Sequence, residues 1–230
     1  MAESEKILIL GGTKEAAELA AELTAAGHDV TTSLAGRTAE PEPVAGKVRI
    51  GGFSGNGKTG VEGLADWLAE NGFTRLIDAT HPFAKRISAN AEAAARLTGI
   101  AFERRTRTPW QKQPGDTWIE TASLEEARDA IPANARILLA LGSQHIEPFV
   151  TRSDVHFLIR MVDPPTEPLP FGSHELVLGK PSSEAAEEMA LLQRHRITHI
   201  VCRNSGGSGA YGKIEAAREL GLPVIMIGLG

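Results

Sequence analysis

The sequence predicts an α/β protein whose parallel sheets are flanked by helices. Three observations predict it. Short apolar runs such as KILIL at residues 6–10 alternate along the whole chain with Ala/Glu/Leu-rich segments. That is the pattern of βα units, not of separate helical and sheet domains. Gly27, Gly72, Gly99 and Gly221 each follow a helical segment, where glycine adopts the left-handed cap that ends a helix. Strand runs also lead straight into glycine- or proline-marked turns that open helices, the crossover that parallel strands require.

In chain order, residues 6–10 form a buried strand, 13–26 a helix and 28–33 a second strand. Residues 47–50 are a short strand, followed by a glycine-rich stretch to Gly60 and a helix over 61–71. Residues 74–78 are a strand and 82–97 a helix, with Pro82 at the first helical position, where its missing N–H costs nothing. After a strand at 100–103, residues 104–117 show no clear period. The stretch 104–122 is the expected hinge between two α/β halves, 1–120 and 121–230. The second half opens with a helix over 123–131, where Ser123 and Glu126 are spaced as a capping box. A strand at 136–140, a short helix at 144–150 and a strand at 155–161 follow. Prolines 164, 165, 168 and 170 make 163–172 a loop. A strand at 175–178, a helix at 182–195 with Ser182 as its cap, a strand at 199–202, a helix at 213–220 and a strand at 223–227 complete the chain.

Composition excludes several classes. The chain has 230 residues, 42% of them hydrophobic and 23% charged, so it can bury a core without staples. A net charge of −5 argues against a general nucleic-acid footprint. Aromatic residues make up only 5%, which argues against a stacking platform for single strands. Cys202 is the single cysteine, so no intramolecular disulfide forms. The first six residues are polar, and no apolar run approaches the roughly 18 residues that a membrane span needs. The expected location is the cytoplasm, with no membrane and no nucleic-acid partner.

Six segments carry candidate chemistry. Gly11, Gly12 and Thr13 lie between a strand and a helix, where a phosphate-binding turn belongs, although the run is not a full GxGxxG. The second strand ends at Ser33, with Arg37 just beyond. NAD enzymes place an acid there, whereas a hydroxyl and a guanidinium suit a 2′-phosphate, which points to NADPH. Residues 52–59 (GFSGNGKT) match the GxxxxGK[ST] spacing of an NTPase loop. Gly60 and Gly63 weigh against it, since each would cost about 1 kcal/mol in the first turn of the following helix. Asp78, Thr80 and His81 stand at the end of a strand, at the edge where such sheets bind ligands. Residues 203–213 (RNSGGSGAYGK) again join a strand to a helix, and successive glycine N–H groups there can cup an anion. Arg104, Arg105, Arg107, Lys112 and Trp110 gather four cations and an indole in nine residues, a set suited to a flat polyanion. None of these segments suggests a metal site. For each, a plain structural role is the competing expectation: a tight turn, a helix cap or a solvated loop.

GGTKEA, SLAGR, DATHPFA, RNSGG and GAYGKIEAARELGLPVIMI together resemble the precorrin-6A reductase family of cobalamin biosynthesis, over residues 10–227. The resemblance implies two Rossmann-like halves and NADPH-dependent reduction of one ring double bond of precorrin-6A to give precorrin-6B. A cobalt-containing analogue serves the anaerobic branch of that pathway. It further implies that Gly11, Gly12 and Thr13 hold the pyrophosphate, Ser33 and Arg37 the 2′-phosphate, and that Asp78, Thr80 and His81 line the nicotinamide end. Arg104, Arg107, Trp110, Arg203, Asn204, Ser205, Tyr211 and Lys213 would face the tetrapyrrole, with His81, Arg203, Tyr211 and Lys213 as catalytic candidates. Handover of product to other corrin-pathway enzymes is the expected partnership. Two alternatives stand beside it: an NTPase or kinase using residues 52–59, and a tetrapyrrole- or nucleotide-binding protein without turnover.

Overall fold

The computed structural model describes residues 4–36 and 43–228. The chain forms two compact units, Met1–Arg107 and Thr108–Gly230. Each is built on its own fully parallel sheet flanked by helices, as the alternation of runs requires.

The first unit comprises β1 (Lys6–Leu10), α1 (Lys14–Ala25), β2 (Asp29–Leu34), β3 (Lys47–Ile50), α2 (Gly60–Glu70), β4 (Arg75–Asp78), α3 (Lys85–Thr98) and β5 (Ala101–Arg104). Its strand order is β3-β2-β1-β4-β5. The central strand β1 is apolar throughout because both its faces are covered. Ile7 and Ile9 pack with Ala16 and Ala20 of α1, while Leu8 and Leu10 pack with α2 and α3. Burial of each such side chain stabilises the fold by roughly 1.5–3 kcal/mol. The helix expected from Pro82 begins instead at Lys85. His81 O accepts the Ala84 N–H at 2.8 Å, so residues 81–84 close a separate turn first.

The second unit comprises β6 (Trp118–Thr121), α4 (Leu124–Asp129), β7 (Arg136–Ala140), β8 (His156–Met161), β9 (His174–Leu178), α5 (Ala185–Arg194), β10 (His199–Arg203), α6 (Gly212–Leu220) and β11 (Val224–Ile227). The order is β6-β11-β10-β7-β8-β9. One face is closed by α4 and two 3-10 turns, the other by α5 and α6. The division falls earlier than residue 120 because β6, which the sequence pattern leaves unassigned, pairs with β11 from Trp118 onward. The helix expected at 144–150 is two 3-10 turns, Ser143–His145 and Glu147–Thr151. Pro148 has no N–H to continue an α ladder. Ser182 does not cap α5. Its hydroxyl accepts the Glu184 N–H at 3.0 Å, and its own N–H donates to the buried carboxylate of Glu188 at 2.9 Å.

Candidate functional site

In the first sheet the chain leaves β1 toward β2 and β3, then crosses back to β4 on the other side. The switch point lies between β1 and β4, and ligands of open parallel sheets bind outside the carboxyl ends there. Three loop features build that edge.

Gly11 donates its N–H to Ser33 O at 3.0 Å. A Cβ at Gly11 would lie 2.7 Å from Thr32 Cγ2, so the close approach of the turn to β2 demands glycine. Gly12 has φ +100°, and a Cβ there would meet nothing within 4 Å. The turn is thus fixed by conformation while the space before it stays open. Thr13 is the N-cap of α1, accepting the Ala16 N–H at 3.1 Å, and its hydroxyl donates to Ala79 O at 3.0 Å. The hydroxyl hydrogen is therefore committed to tying the β1 and β4 loops together. The turn's remaining donors are the first backbone N–H groups of the helix, which have no intrahelical partner.

Asp78 is 2% exposed. Its Oδ1 accepts from Thr80 N at 3.1 Å and Thr80 Oγ1 at 2.6 Å. Its Oδ2 is buried without a hydrogen-bond partner, and Arg104 Nε stands 3.7 Å away as an ion-pair contact only. His81 Nδ1 accepts the Phe83 N–H at 3.3 Å, which orients the ring within the β4 loop. A pocket of about 250 Å³ opens beside this edge, lined by Thr13, Thr80, Arg105 and Arg107 together with acidic residues of α1. Arg107 pairs with Glu15, and Arg105 with Glu103 at 2.5 Å. The guanidinium of Arg107 is thereby held against α1.

Ser33 is buried at the end of β2, and Arg49 Nη1 lies 3.3 Å from its hydroxyl. Nothing local in KVRI marks Arg49 as more than one residue of a short strand. Its place beside Ser33 follows from the β2–β3 register. Arg37 lies outside the described residues.

The NTPase-like run does not form an anion nest. Gly55 and Lys58 exchange two backbone hydrogen bonds, at 3.2 and 2.9 Å, around Asn56 and Gly57, both at positive φ. That is an Asn-Gly hairpin turn. Lys58 Nζ pairs with Asp66 of α2 at 2.6 Å. Thr59 caps α2 in a capping box with Glu62. Lysine and threonine are both spent within the loop and helix, which corrects the NTPase alternative. Gly63 is explained by packing: a Cβ there would lie 1.8 Å from Phe53 O.

In the second sheet the corresponding switch point lies between β7 and β10, followed by residues 203–211. Trp110 N donates to Asn204 Oδ1 at 2.7 Å, and Asn204 Nδ2 donates to Trp110 O at 3.0 Å. The Trp110 indole N–H donates to Gly207 O at 2.7 Å, and the residue is 8% exposed. The Tyr211 ring lies tilted against it, centroids 5.7 Å apart, and the Tyr211 hydroxyl accepts from Arg218 Nη2 at 2.8 Å. Lys213 is 4% exposed, with Nζ donating to Ala210 O at 2.6 Å and lying 5.0 Å over the Trp110 ring. Burial pushes the Lys213 ammonium below its ordinary range, partly opposed by Cys202 and Glu188. The expectation that Trp110 faces the tetrapyrrole meets a ring that is interior, with Asn204 clamping its backbone. Tyr211 and Lys213 point into the same clamp. Ser205 is buried, and Gly206 and Gly207 after it both have positive φ. Burial also lowers the pKa of Arg203 at the end of β10. Arg160 Nη1 donates to both carboxylate oxygens of buried Glu188 at 2.9 Å, a pair that no local motif marks.

Among the described residues no group of three His, Cys, Asp or Glu side chains is placed to hold a metal ion, and no helix is long and apolar enough to cross a membrane.

Comparisons with known proteins agree on one family. The family model "Precorrin-6x reductase CbiJ/CobK" matches residues 6–228. A precorrin-6A reductase of Sinorhizobium is 45% identical over 98% of this chain and 85% of its own length. That of Rhodobacter capsulatus is 44% identical over 96% of this chain and 87% of its own. A solved structure described as CobK precorrin-6A reductase superposes with a TM-score of 0.92 at 44% identity, covering 97% of this chain and 88% of that one. With both parallel sheets, the open glycine turn and the matched span in agreement, the chain belongs to the precorrin-6x reductase family of cobalamin-pathway oxidoreductases.

Proposed function

We propose that the chain reduces one ring double bond of precorrin-6A to give precorrin-6B, with NADPH held at the carboxyl edge of the first sheet. The observation that carries this reading is the juxtaposition at the β1/β4 switch point. An open glycine turn stands there beside Asp78, whose Oδ2 is buried without a hydrogen-bond partner. A dinucleotide fits both. The start of α1 and the Gly11–Gly12 turn suit a pyrophosphate, and a carboxylate oxygen left unsatisfied at 2% exposure suits a donor brought in with the ligand.

When bound, the cofactor supplies a hydride to an electron-poor ring carbon. The protein's share is orientation and charge. Asp78 and Thr80 fix the β4 loop, and Thr13 ties that loop to the glycine turn. His81, oriented by the Phe83 N–H, lines the nicotinamide end and is a side chain there able to pass a proton. In the second half, Arg203 and Ser205 face the carboxylates of the tetrapyrrole, and Asn204, Tyr211 and Lys213 hold their loop in shape. A cation near the ring stabilises negative charge that builds up as hydride arrives. The single cysteine, buried on β10, suits the reducing cytoplasm.

The test is titration with NADPH, NADH and Mg-ATP, followed by nicotinamide fluorescence and calorimetry, then turnover with precorrin-6A. NADPH binding followed by its oxidation on adding precorrin-6A is the expected result. Tight NADPH binding with no oxidation favours a binding protein without turnover, and binding of Mg-ATP alone overturns the reading.

A further inference from the structure

Arg49 stands one residue before the end of β3, and the parallel register sets it against Ser33 of β2. Side chains opposed in this way share a face of the sheet. Arg49 Nη1 lies 3.3 Å from Ser33 Oγ and donates to Gly51 O at 2.6 Å, while Nη2 donates to Gly52 O at 2.7 Å. The guanidinium carbon lies 3.9 Å over the Phe53 ring and 5.3 Å from that of Trp67. The plane is therefore held on one side by an aromatic face and along its edge by two carbonyls.

All of these partners are neutral. Among the described residues no carboxylate pairs with Arg49, and burial alone lowers its pKa. A half-buried cation with only neutral partners carries a desolvation cost that a ligand anion offsets. Its position defines which anion. The carboxyl end of the second strand, next to the glycine turn after the first, is where the adenosine ribose of a dinucleotide lies, and where NAD enzymes present an acid. This chain presents the Ser33 hydroxyl and a guanidinium oriented by Gly51 and Gly52, whose N–H groups not taken by those carbonyls or by Ser33 remain as donors for a phosphate monoester.

We propose that Arg49, with the Ser33 hydroxyl, seats the 2′-phosphate of the dinucleotide and sets the preference for NADPH over NADH. The proposal rests on the reading of the first half as the dinucleotide-binding half. It assigns the discrimination to a strand residue that the β2–β3 pairing brings into place.

The experiment is calorimetric titration of the whole chain and its variants with NADPH, NADH, 2′,5′-ADP and 5′-AMP. In Arg49→Met, affinity for NADPH and 2′,5′-ADP should fall about 30-fold, and affinity for NADH and 5′-AMP should change by less than about threefold. Arg49→Lys should retain part of the preference, because charge remains and the fork is lost. Equal weakening of all four ligands overturns the proposal, since Arg49 would then only shape residues 51–53. Unchanged NADPH affinity overturns it as well. If Arg49→Met fails to fold, Arg49→Lys and Ser33→Ala take its place, and an unaltered NADPH-to-NADH ratio in both is decisive against it. A parent protein that binds neither dinucleotide removes the reading of the first half, and this proposal with it.

Discussion

The loops at the carboxyl edges of the two sheets have opposite characters. At the first, Gly12 faces open space and Asp78 Oδ2 is buried without a hydrogen-bond partner. At the second, four side chains bond to their own neighbours: Asn204 to the Trp110 backbone, the Trp110 indole to Gly207, Tyr211 to Arg218, Lys213 to Ala210. In sequence both loops are rich in glycine and polar residues. Composition therefore marks a loop that is able to bind. Which of its groups are left for a ligand is decided by how many are satisfied internally.

Trp110→Ala attacks the clamped loop hardest. It empties a buried indole site and removes one hydrogen bond and the Lys213 contact. Urea unfolding should show a loss of about 3–5 kcal/mol, with NADPH affinity in the first half changed by less than about threefold. A large affinity loss would show that the clamp also serves the cofactor. Gly12→Val attacks the open loop. A β-branched residue is strained at φ +100° and intrudes on the space before the turn. NADPH binding should weaken roughly 30-fold, while stability falls by only about 1–3 kcal/mol. Undiminished affinity would remove the turn from the cofactor site.

Lys213→Met sharpens the comparison through pH. Burial lowers the Lys213 pKa, so the unfolded chain binds its proton more readily than the folded one. In the window between the folded value and the ordinary 10.5, the parent protein should gain stability as pH rises. The variant should lack that slope, and urea midpoints measured from neutral to alkaline pH read it directly. Parallel profiles would mean that the ammonium is solvated after all. The smallest effect belongs to Lys58→Ala, whose partner Asp66 is equally exposed. Thermal midpoint and NADPH affinity should both stay unchanged, and loss of nucleotide binding would revive the NTPase-like motif.

Much of the fold was legible because apolar runs in a doubly covered parallel sheet are unbroken, as at Lys6–Leu10 and Arg136–Ala140. The edge strand β6 was not, since its WIET sequence is only partly buried and carries no apolar run. The carboxyl-edge turns of the first sheet were legible because strand, glycine and helix are contiguous in sequence. Arg49 and the burial of Trp110 were invisible for the opposite reason. Each depends on a partner far along the chain, Ser33 for one and Asn204 for the other. The GxxxxGK[ST] match, already weighed down by Gly60 and Gly63, forms no nucleotide loop because spacing says nothing about φ. Asn56 and Gly57 turn the loop back on itself instead of wrapping it around an anion.

The pairing of β6 with β11 bears on how the protein is made. The Thr121 hydroxyl bonds to Met226 O across 105 residues, whereas β1 and β2 are joined by a single helix. On a ribosome, the first sheet can close while much of the second is still untranslated. The second must wait for its last strand, holding β6 and the exposed edge of β10 unpaired meanwhile. Long-range closure of this kind is slow. The interval before β11 emerges is when the nascent chain is most open to chaperone capture and to mispairing with another copy, so codon usage or truncation near residues 224–227 should influence yield more than equal changes near residues 47–50.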